Sequence, residues 1–111
     1  MELEPEVRDW LEGLDDQRWA RAVFHLDLLE ERGVLLGQPY TRQLAGKLRE
    51  LRFYCAERVR ITYWVGSGRR IIMLTVFTKT RTRETAEVER AAVAMARCQA
   101  EAHTADGRIE R

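Results

Sequence analysis

The sequence has little of what disulfide-built, membrane-spanning or metal-dependent proteins need. Its two cysteines, Cys55 and Cys98, stand in no CxxC and beside no histidine, so their spacing indicates neither a disulfide framework nor a zinc site. No run approaches the roughly 18 consecutive apolar residues of a membrane span. The start, "MELEPEVRDW", has neither the basic beginning nor the apolar centre of a signal peptide. Histidine is equally scarce: His25 lies between Phe24 and Leu26 in a helical pattern and reads as a packed structural side chain, while His103 has no obvious partner. No Ser/His/Asp set, phosphate-cradling glycine loop or histidine pair of the ribonuclease A kind is visible. These absences predict a soluble cytoplasmic protein that works without metal, cofactor or membrane.

Charge is what the chain does have, and it is unevenly placed. The formal net charge is only +1, with 33% of the 111 residues charged. Residues 1–40 hold ten acids and four bases, a net of −6, whereas residues 41–83 hold eleven bases and two acids, Glu50 and Glu57, a net of +9. Residues 84–111 return to −2. A basic centre between acidic ends is an anion-binding signature that a pI near 7.8 conceals.

The length and the 45% hydrophobic content predict one domain over residues 1–111, with the tail from about residue 104 flexible. Pro5 suits a first helical turn, and Val7, Trp10, Leu11 and Leu14 recur at helical spacing. Asp15 or Asp16 caps a second helix carrying Trp19, Ala22, Val23, Leu26 and Leu29, closed by Gly33. After a connector, "VLLGQPYTRQLAG", the period changes to two: "KLRELRFY", "VRITYWV" and "RIIMLTVF" read as three strands, with "GSG" as a hairpin turn. Val88, Ala91, Ala92, Met95, Cys98 and Ala102 then trace one side of a final helix. The expected class is α+β: an N-terminal helical hairpin on a small antiparallel sheet, a three-stranded meander with "MEL" as a candidate edge strand, and a C-terminal helix.

Between the last strand and that helix lies "TKTRTR", carrying Lys79, Arg81 and Arg83 with no acid among them. Arg52 and Arg60 fall on neighbouring strands, out of phase with Leu51, Phe53, Ile61 and Tyr63. If the basic turn folds over the same end of the sheet, these five cations converge on one surface suited to a nucleic-acid backbone. Any one surface arginine is more often merely solvated or paired; five together, in a segment of net +9, favour the anion site. Tyr54 and Trp64 are candidates to stack bases beside Arg52 and Arg60, and Arg49 is a further RNA-binding candidate. Glu84 begins the last helix, where the dipole favours a carboxylate; capping is its expected role over that of a base.

The segments "KLRELRF", "VRITYWV", "GRRIIMLTVFTKTR" and "RETAEVERAAVAM", in that order, resemble the RelE/ParE toxin superfamily, specifically its phage-derived Gp49-like or HigB-type branch. The resemblance spans roughly Glu4 to His103. It implies a RelE-like fold and the toxin of a type II toxin-antitoxin pair: a metal-independent endoribonuclease that cuts mRNA on the ribosome and is silenced by a helix-turn-helix antitoxin of the XRE/HigA type. By position it implies catalytic roles for Arg52, Arg60, Lys79 and Arg81, with Arg83 on the flanking backbone. Lys79 would serve as base or electrostatic stabiliser, and Arg52 and Arg60 would hold the scissile phosphate. Two other readings stay open: a ParE-type toxin directed at DNA gyrase, and a non-catalytic module that binds antitoxin or nucleic acid.

Overall fold

Pro5 opens the first helix, α1 (Pro5–Glu12), because its fixed φ suits a first turn and its missing N–H removes an otherwise unpaired donor. The second, α2 (Asp16–Arg32), is capped by Asp15, whose carboxylate accepts from the Arg18 N–H at 2.8 Å. It ends at Gly33, where φ is 54°, a left-handed conformation that glycine adopts without a Cβ clash. In this computed structural model, which describes residues 1–109 and the side chains of residues 1–101, α1 and α2 form the expected hairpin. Val7, Ala22, Leu26 and Leu29 are its buried apolar contribution to the core.

The sheet has five strands in the order β1-β5-β4-β3-β2. Strands β2 (Thr41–Ala45), β3 (Leu48–Tyr54), β4 (Arg58–Val65) and β5 (Ile71–Thr78) form an antiparallel meander, and β1 (Glu2–Leu3) joins β5 in parallel. The sheet is therefore mixed, and the expected three-stranded meander is corrected to four strands. The additional strand comes from the supposed connector. Its sequence, "TRQLA", buries Thr41 fully and Leu44 partly, and its register shifts between Gln43 and Ala45. An edge strand needs little apolar alternation, so its pattern is weak. The "MEL" expectation is met by β1.

Alternation along the strands builds two apolar layers. One face presents Leu51, Phe53, Val59, Ile61, Tyr63 and Met73 to the helical hairpin. The other buries Leu48, Trp64, Ile72 and Leu74 against Ala91 and Cys98 of α3 (Thr85–Ile109). Leu48 starts β3, Trp64 lies near the end of β4 and Ile72 near the start of β5, so α3 packs over one end of its face. At the opposite end Tyr54 and Arg58 remain exposed and Arg52 partly so. Residues 110 and 111, and the side chains of residues 102–109, Ala102 and His103 among them, lie outside the described residues.

Candidate nucleic-acid interface

Arg52 and Arg60 are directly opposed across the β3–β4 ladder. The two-residue period places Glu50, Tyr54, Arg58 and Thr62 on the same face. Like charges directly opposite each other on a sheet repel, so this pair is a local weakness unless an anion neutralises it. Glu50 does so in part: its carboxylate, buried in the sheet, comes within 3.8 Å of Arg52 Nε, an ion pair too long to be a hydrogen bond. Arg60 is only 6% exposed, and its Nη1 donates to the Val59 carbonyl at 3.0 Å. The Nε–H groups of Arg52 and Arg60 are both buried and without a hydrogen-bond partner among the described residues. Burial pushes the Arg60 guanidinium below its ordinary pKa; the charge of Arg52 adds to this, Glu50 opposes it, and Arg58 and Arg42 add further. A guanidinium stays protonated even so, and the strain is carried as unneutralised positive charge.

Arg42 is the cation that the sequence reading missed. It stands on β2 directly opposite Glu50, which puts it on the same face. Gly46, with φ at 55° between "TRQLA" and "KLREL", is the hairpin signal from which β2 and the phase of Arg42 could have been found.

The basic turn begins beside Arg58, because the Lys79 N–H donates to the Arg58 carbonyl at 2.7 Å and extends the ladder past Thr78. Lys79 Nζ reaches the Thr82 carbonyl at 3.3 Å. One Glu84 carboxylate oxygen accepts from the N–H groups of both Thr80 and Arg81, each at 2.9 Å. These bonds hold its carboxyl below the ordinary range, helped by the charges of Arg81 and Lys79. Glu84 does stand at the start of α3, where its carbonyl accepts from the Val88 N–H, but its side chain turns back to tie the loop instead of capping the helix. That corrects the capping expectation.

Arg42, Glu50, Phe77, Lys79, Arg83 and Glu84 all line a cleft of about 320 Å3. A shallower depression of about 230 Å3 takes in Arg52, Tyr54, Arg58 and Arg60. Arg81 lies on the same turn with its side chain exposed. Two anticipated RNA contacts go elsewhere. Arg49 is on the hairpin face, where its Nη2 donates to Thr41 Oγ1 at 3.2 Å and its Nε lies 3.4 Å from the Tyr63 hydroxyl. Trp64 shares the face of Arg60 but sits under α3, 8% exposed, with Nε1 donating to Cys98 Sγ at 3.4 Å. Its ring faces protein and has no room for a base. His25 stacks on Phe53 at 4.7 Å between ring centroids, the packing role expected of it.

A family model described as "Phage derived protein Gp49-like (DUF891)" matches residues 9–99, from α1 through most of α3. No curated protein matches the chain. Among the described residues no helix is long and apolar enough to cross a membrane.

Proposed function

The chain belongs to the Gp49-like family of phage-derived proteins, a RelE/HigB-like toxin family, and on that premise we propose that it is the toxin of a toxin-antitoxin pair that cleaves mRNA on the ribosome. The observation that carries this reading is the opposed Arg52–Arg60 pair, with two buried Nε–H donors unused and a lysine-containing turn alongside. A phosphodiester brings the negative charge and the acceptor oxygens that such a pair lacks.

Cleavage without a metal joins the ribose 2′-oxygen to phosphorus and releases the 5′-oxygen, passing through a phosphorane with extra negative charge. Arg52 and Arg60 stabilise that charge, and fixed cations aimed at developing charge are the strongest aid a protein can give such a step. Lys79 serves as base or electrostatic stabiliser as the 2′-hydroxyl gives up its proton, and the leaving 5′-oxygen takes a proton from solvent. Arg81 and Arg83 grip the neighbouring phosphates, and exposed Tyr54 offers a stacking face. Arg42 joins this set from β2. The antitoxin, a helix-turn-helix protein, silences the site by laying acidic side chains across the same face.

The test is brief induction in cells lacking the antitoxin, with primer extension on cellular mRNA and gyrase supercoiling measured in parallel. New 5′ ends with unimpaired supercoiling are expected. Inhibited gyrase without new ends would replace this reading with the ParE type, and growth without either effect would leave a binding module.

A further inference from the structure

Beyond the β3–β4 turn lies a large cleft, about 930 Å3, which the cleavage face does not use. It runs between α2 and the strand ends, and Arg18, Arg21, Phe24, His25, Tyr40 and Cys55 are among the residues lining it. Its volume is toward the upper end of the range for ligand pockets, about 300–1,000 Å3. We infer that this cleft is a second, non-catalytic subsite for single-stranded RNA, holding nucleotides that flank the cleaved phosphate. The inference rests on the ribonuclease reading above and adds the path of the substrate.

Three observations carry it. First, the walls are aromatic. Phe24 meets His25 edge-to-face at 5.2 Å, His25 stacks on Phe53, and Tyr40 tilts against His25 at 6.3 Å. Phe24 is 63% exposed and Tyr40 38%, so both present ring surface to a base while His25 and Phe53 back them. Stacking on such surfaces is how proteins hold single strands without reading sequence.

Second, the charge fits an anion, although α2 carries several acids. At helical spacing Arg18, Arg21 and Arg32 fall along the flank of Phe24, His25 and Leu28, with Glu31 at its margin next to Phe24, while Asp16, Asp27 and Glu30 occupy the other. The only acid lining the cleft is Asp15, among the described residues. It is committed to the α2 cap and lies 3.7 Å from Arg18 Nε.

Third, the cleft continues the cleavage face. Consecutive residues, Pro39 and Tyr40 and likewise Tyr54 and Cys55, line the Arg52–Arg60 depression and this cleft in turn. Arg21 Nε donates to the Tyr54 carbonyl at 2.6 Å, which fixes the seam between them. A strand leaving Arg52 past Tyr54 is thus led toward Arg21 and the Phe24 ring. The seam with the cleavage face, and exposed aromatic rings beside Arg18 and Arg21, favour RNA over a protein partner.

The experiment measures binding of uncleavable 2′-O-methyl RNA, of about four and about ten nucleotides, to the full chain by fluorescence anisotropy. The variants are Arg21→Glu, Phe24→Ala and Arg60→Ala; the first two change exposed side chains. Wild type is expected to bind the longer oligonucleotide at least about tenfold more tightly, Arg21→Glu to erase that gain, and Phe24→Ala to erase it without changing affinity for the shorter one. An equal length gain in wild type and both groove variants overturns the inference and leaves the cleft to a protein partner. No length gain in wild type overturns it as well. The ribonuclease reading fails separately, when Arg60→Ala leaves affinity for the short oligonucleotide unchanged.

Discussion

Arg52 and Arg60 face each other across two hydrogen-bonded strands, and Arg60, the more buried of the two, has no ion-pair partner among the described residues. An arrangement that raises the energy of the free protein is understandable where binding relieves it. Replacing Arg60 by methionine removes a desolvated charge while keeping most of the packed volume. Arg60→Met is therefore expected to be neutral or to stabilise the fold by about 1 kcal/mol, read by urea unfolding, while abolishing RNA cleavage. A destabilisation beyond about 2 kcal/mol would assign Arg60 to structure instead.

Phosphate contacts are visible in salt dependence. For a single-stranded oligonucleotide, Arg52→Ala and Lys79→Ala are each expected to lower the slope of log affinity against log salt by about 0.7. Arg49→Ala, on the opposite face, should leave the slope unchanged. Anisotropy titrations across a salt series give all of these slopes, and a change for Arg49 equal to that for Arg52 would contradict the face assignment.

The fold was legible where one physical rule dominates. Proline at a helix start, aspartate at a cap, glycine at positive φ and strict alternation in β3 and β4 each mark their element locally. The fourth meander strand was not, because an edge strand with a register shift needs little apolar patterning, and Arg42 was missed along with it. Alternation did place Arg52, Arg60 and Trp64 in phase. It carries no record of where α3 comes to rest, and that contact separates an open arginine from a covered tryptophan. Glu84 was misread for a similar reason: its position at a helix start is written in the sequence, whereas the direction of its side chain is set by the loop before it.

Trp64 supplies a control for that distinction. Trp64→Phe loses the indole contact with Cys98 and some packing under α3, and is expected to lower stability by about 1–3 kcal/mol. Affinity for short RNA should not change. An affinity loss in folded Trp64→Phe protein would return the ring to the binding surface.

Glu6 gives the fold a defined acid sensitivity. Its carboxylate closes the edge of β5 beyond β1, accepting from the Val76 N–H at 2.9 Å and pairing with Arg90 at 2.5 Å. Burial pushes its pKa up, but the bonds from Arg90 and Val76 outweigh this and hold it below the ordinary 4.5. A depressed folded value means that the contribution is complete above the ordinary carboxylate range and is lost as pH falls through the folded pKa. Melting temperature should thus drop below about pH 4.5 in wild type, and less steeply in Glu6→Gln. Thermal melts across an acid series will show parallel curves if Glu6 plays no part.

The most direct measurement is the map of mRNA 5′ ends in cells pulsed with wild type, Arg60→Met or Lys79→Ala, at matched levels of folded protein. Discrete new ends for wild type and none for either variant are the predicted result. The same ends at the same intensity in both variants would contradict a phosphate site built from the paired arginines and the turn beside them.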